Sequence, residues 1–144
     1  MTRRPFRFAV STNGIRDRAE LAEHARTAES LGYSTLLIAD HLLDQFAPLL
    51  ALTAVAQATT RLRVGTFVLN NDLRHPALLA QELASLDVLS DGRLEIGLGA
   101  GWNLPEYTAA GLAFEPHGVR FKRMAESLQI LKGLFQLLWA YWRW

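Results

Sequence analysis

Residues 62–99 read LRVGTFVLNNDLRHPALLAQELASLDVLSDGRLEIGLG, and their pattern decides the fold. LRVGTFVL (62–69) and RLEIGLG (93–99) are short runs of apolar, partly β-branched side chains, the length and composition of strands. NNDLRH (70–75) is a polar loop. Pro76 then opens a helix, where a fixed φ and a missing N–H cost least. Leu79, Leu83, Leu86 and Leu89 lay one apolar stripe along that helix, which runs through about Leu89. SDG (90–92) is a turn signal. Strand, helix and strand in this order form a βαβ unit, with parallel strands and a right-handed crossover.

The same rhythm continues outward. STLLIA (34–39) is an unbroken apolar run, as expected of a parallel strand covered on both faces. Pro48 opens a second helix, PLLALTAVAQATT (48–60). Toward the N-terminus, Phe6, Phe8 and Val10 alternate before STNG (11–14) breaks the strand. A helix is expected from Asp17 to Leu31, with Leu21, Ala22, Ala25, Ala28 and Leu31 on one face and Gly32 just past its end. Beyond strand 4 comes the loop AGWN (100–103), then a short helical turn from Pro105. A last helix starts near Val119. The four strands begin about 30 residues apart, one βα step each. Such alternation fits a doubly wound sheet or half of a (β/α)8 barrel, which needs about 250 residues in full. The alternation alone leaves both open.

Composition narrows the function classes. Fifteen basic against 14 acidic side chains give a net charge of +1, which is no electrostatic footprint for nucleic acid. There is no cysteine, so disulfides and thiolate metal sites are excluded. His24, His41, His75 and His117 include no i, i+4 pair of the helical zinc type, and no metal site is expected. MTRRPFRFAV (1–10) has too short an apolar run for a signal peptide, and no run approaches a bilayer span. A soluble, cytoplasmic protein is expected. FQLLWAYWRW (135–144) concentrates three of the four tryptophans in the last six residues. It reads as a truncation or frameshift product, with a helix packed on a neighbour or a homodimer contact as the other readings. The expected division is therefore 1–135 as the domain and 136–144 as an atypical tail.

In parallel α/β folds ligands bind at the carboxyl ends of the strands. Those ends carry Ser11, Thr12 and Asn13; Asp40 and His41; Asn70, Asn71, Asp72, Arg74 and His75; and Gly99 to Asn103, with Glu106 a little further on. His41 at such a mouth is a candidate for proton transfer, and Asp40 for holding the ring or a cofactor amide. The plainer reading is a histidine capping its loop and an aspartate bonding backbone N–H groups. GLGAGWN (97–103) brings glycines where the backbone must approach something closely, a cofactor ring edge, an anion at a helix N-terminus, or only a tight strand-to-helix crossing. It is not the dinucleotide-binding pattern, because position 102 is Trp, a plausible wall for a flat heterocycle. Arg74 and His75 read either as anion contacts or as a hydrogen-bonded loop, with Arg74 paired to Asp72 or another carboxylate. Arg93 lies at the opposite end of strand 4, where barrels are stabilised, and reads as structural.

Three segments together resemble the luciferase-like monooxygenase superfamily. They are RVGTFVLNNDLRHPALLAQELASLDVLSDGRLEIGLGAGWNLPEY (63–107), GYSTLLIADHLLDQ (32–45) and RFKRMAESLQILKGLF (120–135). The likeness covers about residues 5–135 and is nearest to the coenzyme F420-dependent oxidoreductases of that group. It implies the (β/α)8 barrel, here an N-terminal half barrel of about four βα units. It implies an oxidoreductase fragment that transfers a hydride between coenzyme F420, or alternatively FMN, and a small organic substrate. It implies His41 as the catalytic group, with Asp40, Leu69, Asn70, Ala100, Gly101 and Asn103 around the cofactor. It also implies a non-proline cis peptide near Thr66–Phe67. Trp102 stands where some deazaflavin relatives have a glutamate acid, which argues against a sugar-phosphate dehydrogenase. The alternative is a non-catalytic half barrel that acts as a dimerising or binding module.

Overall fold

The computed structural model describes residues 6–42 and 45–142. In chain order the elements are β1 (Ala9–Thr12), α1 (Arg18–Ser30), β2 (Thr35–Ile38), α2 (Pro48–Ala58), β3 (Arg63–Thr66), β4 (Leu69–Asn70), α3 (Pro76–Leu89), β5 (Leu94–Glu95), β6 (Leu98–Gly99), α4 (Leu104–Ala109) and α5 (His117–Trp142). A single 3-10 turn, Asn71–Leu73, joins β4 to the loop before α3. Arg143 and Trp144, the end of the expected tail, lie outside the described residues.

The order of the strands decides between the two architectures. The main sheet runs β1-β2-β3-β5, and every neighbouring pair is parallel. A doubly wound sheet reverses its strand order at a switch point. Here each strand lies beside its predecessor, and the helices follow suit: α1 packs on α2, α2 on α3, and α3 on α5. One parallel sheet in sequential order under one helix layer is the arrangement of successive βα units in a (β/α)8 barrel.

The local signals act as expected at most ends. Asp17 caps α1, its Oδ1 accepting from the N–H groups of Ala19 at 2.7 Å and Glu20 at 3.1 Å. Gly32 follows the helix at φ 84°, a conformation that side-chain-bearing residues avoid. Pro48 and Pro76 stand at the first positions of α2 and α3. Two stripe positions differ. Leu31 is the C-cap of α1 and 70% exposed, and Leu89 ends α3 at 53% exposure. Each is the terminal residue of its stripe, beyond the reach of the sheet.

The core lies between sheet and helices. Leu36, Ile38 and Val64 of the strands meet Leu21, Ala25, Leu52, Val55 and Leu86 of the helices. A second cluster, Leu69, Leu79, Ala80, Leu83 and Leu131, ties the upper strands to α3 and α5. Each fully buried leucine or valine contributes about 1.5–3 kcal/mol.

Strands 3 and 4, each expected as one run, are each broken in two. Above the break β4 and β6 pair as a separate parallel ribbon. The Phe67–Val68 peptide between β3 and β4 is cis, one residue later than expected. The Thr66 hydroxyl stitches the gap: it donates to Gly97 O and accepts from Gly97 N, both at 2.9 Å. Gly97 has no room for a Cβ, which would lie 2.5 Å from Thr66 O. Among the described residues no helix is long and apolar enough to cross a membrane.

Candidate coenzyme cleft

At the carboxyl ends of the strands a cleft of about 430 Å³ opens, within the range of small-ligand sites. Asp40, His41, Leu69, Asn70, Ala100, Gly101 and Asn103, the seven residues singled out from the sequence, all line it. Phe67, Val68, Trp102, Glu106 and His117 complete its wall. Phe67 and Trp102 are 65% and 74% exposed, so the cleft presents aromatic surface beside its polar groups.

Asp40 follows β2 and is buried. Its carboxylate receives both terminal nitrogens of Arg74, NH1 at 2.5 Å and NH2 at 3.3 Å, and the Asn70 N–H at 3.0 Å. The pairing is a bidentate fork on a desolvated acid, the strong form of this contact. Arg74 is thus spent on a carboxylate, as the hydrogen-bonded-loop reading expected, and that carboxylate is Asp40 and not Asp72. Asp40 likewise reaches the cleft chiefly through the Asn70 main chain that it anchors. His75 caps α3, its Nδ1 accepting from Ala77 N at 3.2 Å.

His41 is half-buried, and its Nδ1 lies 2.8 Å from Oε1 of Glu106, a buried carboxylate on α4. The Trp102 indole stands edge-on to the imidazole, with ring centroids 6.1 Å apart. Among the described residues no partner is found for His41 Nε2. His117, at the start of α5, faces the same cleft and had drawn no notice in the sequence beyond a metal search.

Next to Glu106, Tyr107 is buried on the other side of α4. Its hydroxyl lies 2.9 Å from Asp72 Oδ2 and 3.1 Å from Asn70 Oδ1. Burial pushes the phenol above its ordinary pKa, and the Asp72 carboxylate adds to the shift. Arg123 of α5 donates to Asp72 Oδ1 at 2.8 Å and also pairs with Glu115. The Tyr107 ring packs edge-on against Phe114, with centroids 4.9 Å apart.

The glycine loop is held from behind. Arg120 is buried, and its NH1 donates to the carbonyls of Ala100 and Gly101 while Nε donates to Glu115 O at 2.8 Å. Its guanidinium lies over the Phe114 ring, 4.1 Å from the centroid. Gly101 has φ 76°, and a Cβ there would collide with the Tyr107 hydroxyl and lie 2.7 Å from Asn70 Oδ1. The close approaches read from GLGAGWN are thus made to Thr66 and Val68 at Gly97, to Val68 at Gly99, and to Tyr107 and Asn70 at Gly101.

An apolar floor at Phe67–Leu69, an indole wall and a few amide and imidazole groups suit a flat heterocycle. Several known proteins are similar to this chain. The family described as luciferase-like monooxygenase matches residues 4–138. An F420-dependent glucose-6-phosphate dehydrogenase of Amycolatopsis mediterranei is 35% identical over 124 residues, covering 81% of this chain and 37% of the relative. The enzyme of the same description from Kineococcus radiotolerans is 39% identical, covering 81% of this chain and 36% of the relative. Among solved structures, a coenzyme F420-dependent tetrahydromethanopterin reductase from Methanopyrus kandleri is 29% identical, with a TM-score of 0.68, over 75% of this chain and 30% of that one. A long-chain alkane monooxygenase superposes with a TM-score of 0.81 over 90% of this chain and 39% of its own, at 15% identity, and speaks for the fold alone. The chain thus spans a little over a third of the length of the curated relatives it matches.

Proposed function

The chain belongs to the luciferase-like monooxygenase family, and from that premise we propose that it carries the coenzyme-facing half of an oxidoreductase acting on a small organic substrate. The observation that supports this reading is the gathering, on one cleft at the carboxyl ends of parallel strands, of the seven residues that the family resemblance implies. When bound, coenzyme F420 supplies hydride transfer, and FMN is the alternative. F420 is preferred because the two curated relatives, similar in sequence, and the reductase, similar in sequence and fold, bear its name.

In this reading Leu69 and the Phe67–Val68 bulge form the floor under the ring. Asn70, Asn103 and the main chain of Ala100 and Gly101 hold its polar edge. Asp40 and Arg74 keep the Asn70 segment in place, and Trp102 shields one side from water. His41 exchanges a proton with the substrate as the hydride moves.

Titration with F420 and, separately, with FMN tests the proposal, followed by absorbance and fluorescence. A saturable change with F420 and none with FMN is expected. No change with either would favour the second reading, a non-catalytic half barrel. That reading draws on the outer strands β1 and β5, each of which has a neighbour on one side only in the main sheet.

A further inference from the structure

We propose that Glu106 is a positioning residue for His41: it fixes the imidazole as the Nδ1–H tautomer, so that the neutral ring offers an acceptor at Nε2. This deepens the proton-transfer reading of His41 and rests on it for its purpose.

A carboxylate accepts hydrogen bonds and, when ionised, donates none. Glu106 Oε1 stands 2.8 Å from His41 Nδ1, so the proton of a neutral imidazole belongs on Nδ1. Its partner Nε2 then carries the lone pair. A solvated imidazole prefers the opposite tautomer, with the proton on Nε2. The contact therefore reverses a default, and it does so with a carboxylate whose side chain is only 9% exposed. Trp102 meets the ring in a T-shaped contact, with centroids 6.1 Å apart. In consequence neutral His41 is arranged to take a proton from the cleft, and its protonated form to return one through the same nitrogen.

The other histidines provide internal standards. His75 Nδ1 accepts from Ala77 N, so His75 must carry its proton on Nε2. His24 is exposed on α1 and reports the solvated ring.

The test is long-range proton–nitrogen NMR of the nitrogen-15-labelled chain, above the pH at which its histidines lose their charge and without coenzyme. A His41→Gln sample assigns the signal. The expected spectrum has His41 as Nδ1–H, and His75 and His24 as Nε2–H. Glu106→Ala is expected to return His41 to the His24 pattern. Glu106→Gln is expected to give a mixture, because an amide can accept or donate. Retained dispersion of the backbone amide shifts shows that the chain remains folded; if Glu106→Ala loses it, the Gln variant decides. His41 in the Nε2–H form in the unaltered chain overturns the proposal. So does an Nδ1–H form that survives both substitutions. The F420 titration fails or succeeds independently, since no coenzyme enters this measurement.

Discussion

The two ends of the same strands handle polar side chains in opposite ways. At the amino end Arg93, Glu29 and Glu95 are tied down. Arg93 donates to Ser90 O at 2.6 Å, Ala56 O at 2.8 Å, Leu62 O at 2.9 Å and Thr59 Oγ1 at 3.1 Å. Glu29 Oε1 accepts the N–H groups of Thr60, Arg61 and Leu62, at 3.0, 2.6 and 2.8 Å. Glu95 is shared by Arg7, Thr35 and Arg63. At the carboxyl end Asp40, Arg74 and Arg120 are equally committed, but they form a frame around groups that are not: His41 Nε2, the Trp102 face and the Asn103 amide. In barrels the amino end serves stability, and the carboxyl end is where ligands bind.

The contrast is sharpest at His41. His41→Gln keeps a donor for Glu106 but removes the titrating ring. In a full-barrel form that turns over F420, turnover should fall by about 100- to 10,000-fold, the usual share of general acid–base catalysis. Melting temperature should barely change. A loss of coenzyme affinity with turnover intact would reassign His41 to binding.

Arg93→Ala should do the reverse. It strands four acceptors, at a cost of about 3 kcal/mol, and lowers the melting temperature by roughly 10 °C. Coenzyme titration of the folded fraction should be unchanged. Thermal denaturation and F420 titration of the same sample check both halves; weakened binding without destabilisation would erase the distinction between the ends.

Gly101→Ala sits between the extremes. Strain at φ 76° and the collision with Tyr107 should cost about 2 kcal/mol. The displaced loop should also weaken F420 binding, so calorimetry and titration should both register this one substitution.

The smallest effect is on pH dependence. Glu29 and Glu95 lose some hydration, which opposes ionisation. For Glu29 the three backbone N–H groups outweigh this, and for Glu95 Arg7, Thr35 and Arg63 do, so both carboxyls titrate below their ordinary value. A depressed folded-state pKa gives stability that is complete above the unfolded-state value, about 4.3, and that is lost as pH falls through the folded-state value. Melting temperature should therefore decline on acidification below about pH 4.5. The double variant Glu29→Gln, Glu95→Gln should show a shallower decline; an equal slope would remove these two groups from the account.

Local features were legible in the sequence because they depend on neighbours in the chain. Asp17, Pro48, Pro76 and Gly32 each act within one helical turn, and the strand ends name their own loops. The likeness to a known family placed a cis peptide within one residue of its position. What the sequence hid were partnerships across crossovers. Arg74 finds Asp40 across 34 positions, and His41 finds Glu106 across 65. No periodicity encodes such pairs. The breaks at Thr66–Gly97 were invisible for the same reason: a threonine hydroxyl replaces ladder bonds there, and the apolar run reads on through it.

Glu106 and Tyr107 are adjacent on a six-residue helix that stands apart from the main helix layer. One grips the loop after β2, the other the turn after β4. The side chain that holds the His41 imidazole and the one that holds Asp72, itself bonded to Arg123, therefore share one short stretch of backbone, and a substitution that shifts α4 disturbs both contacts together.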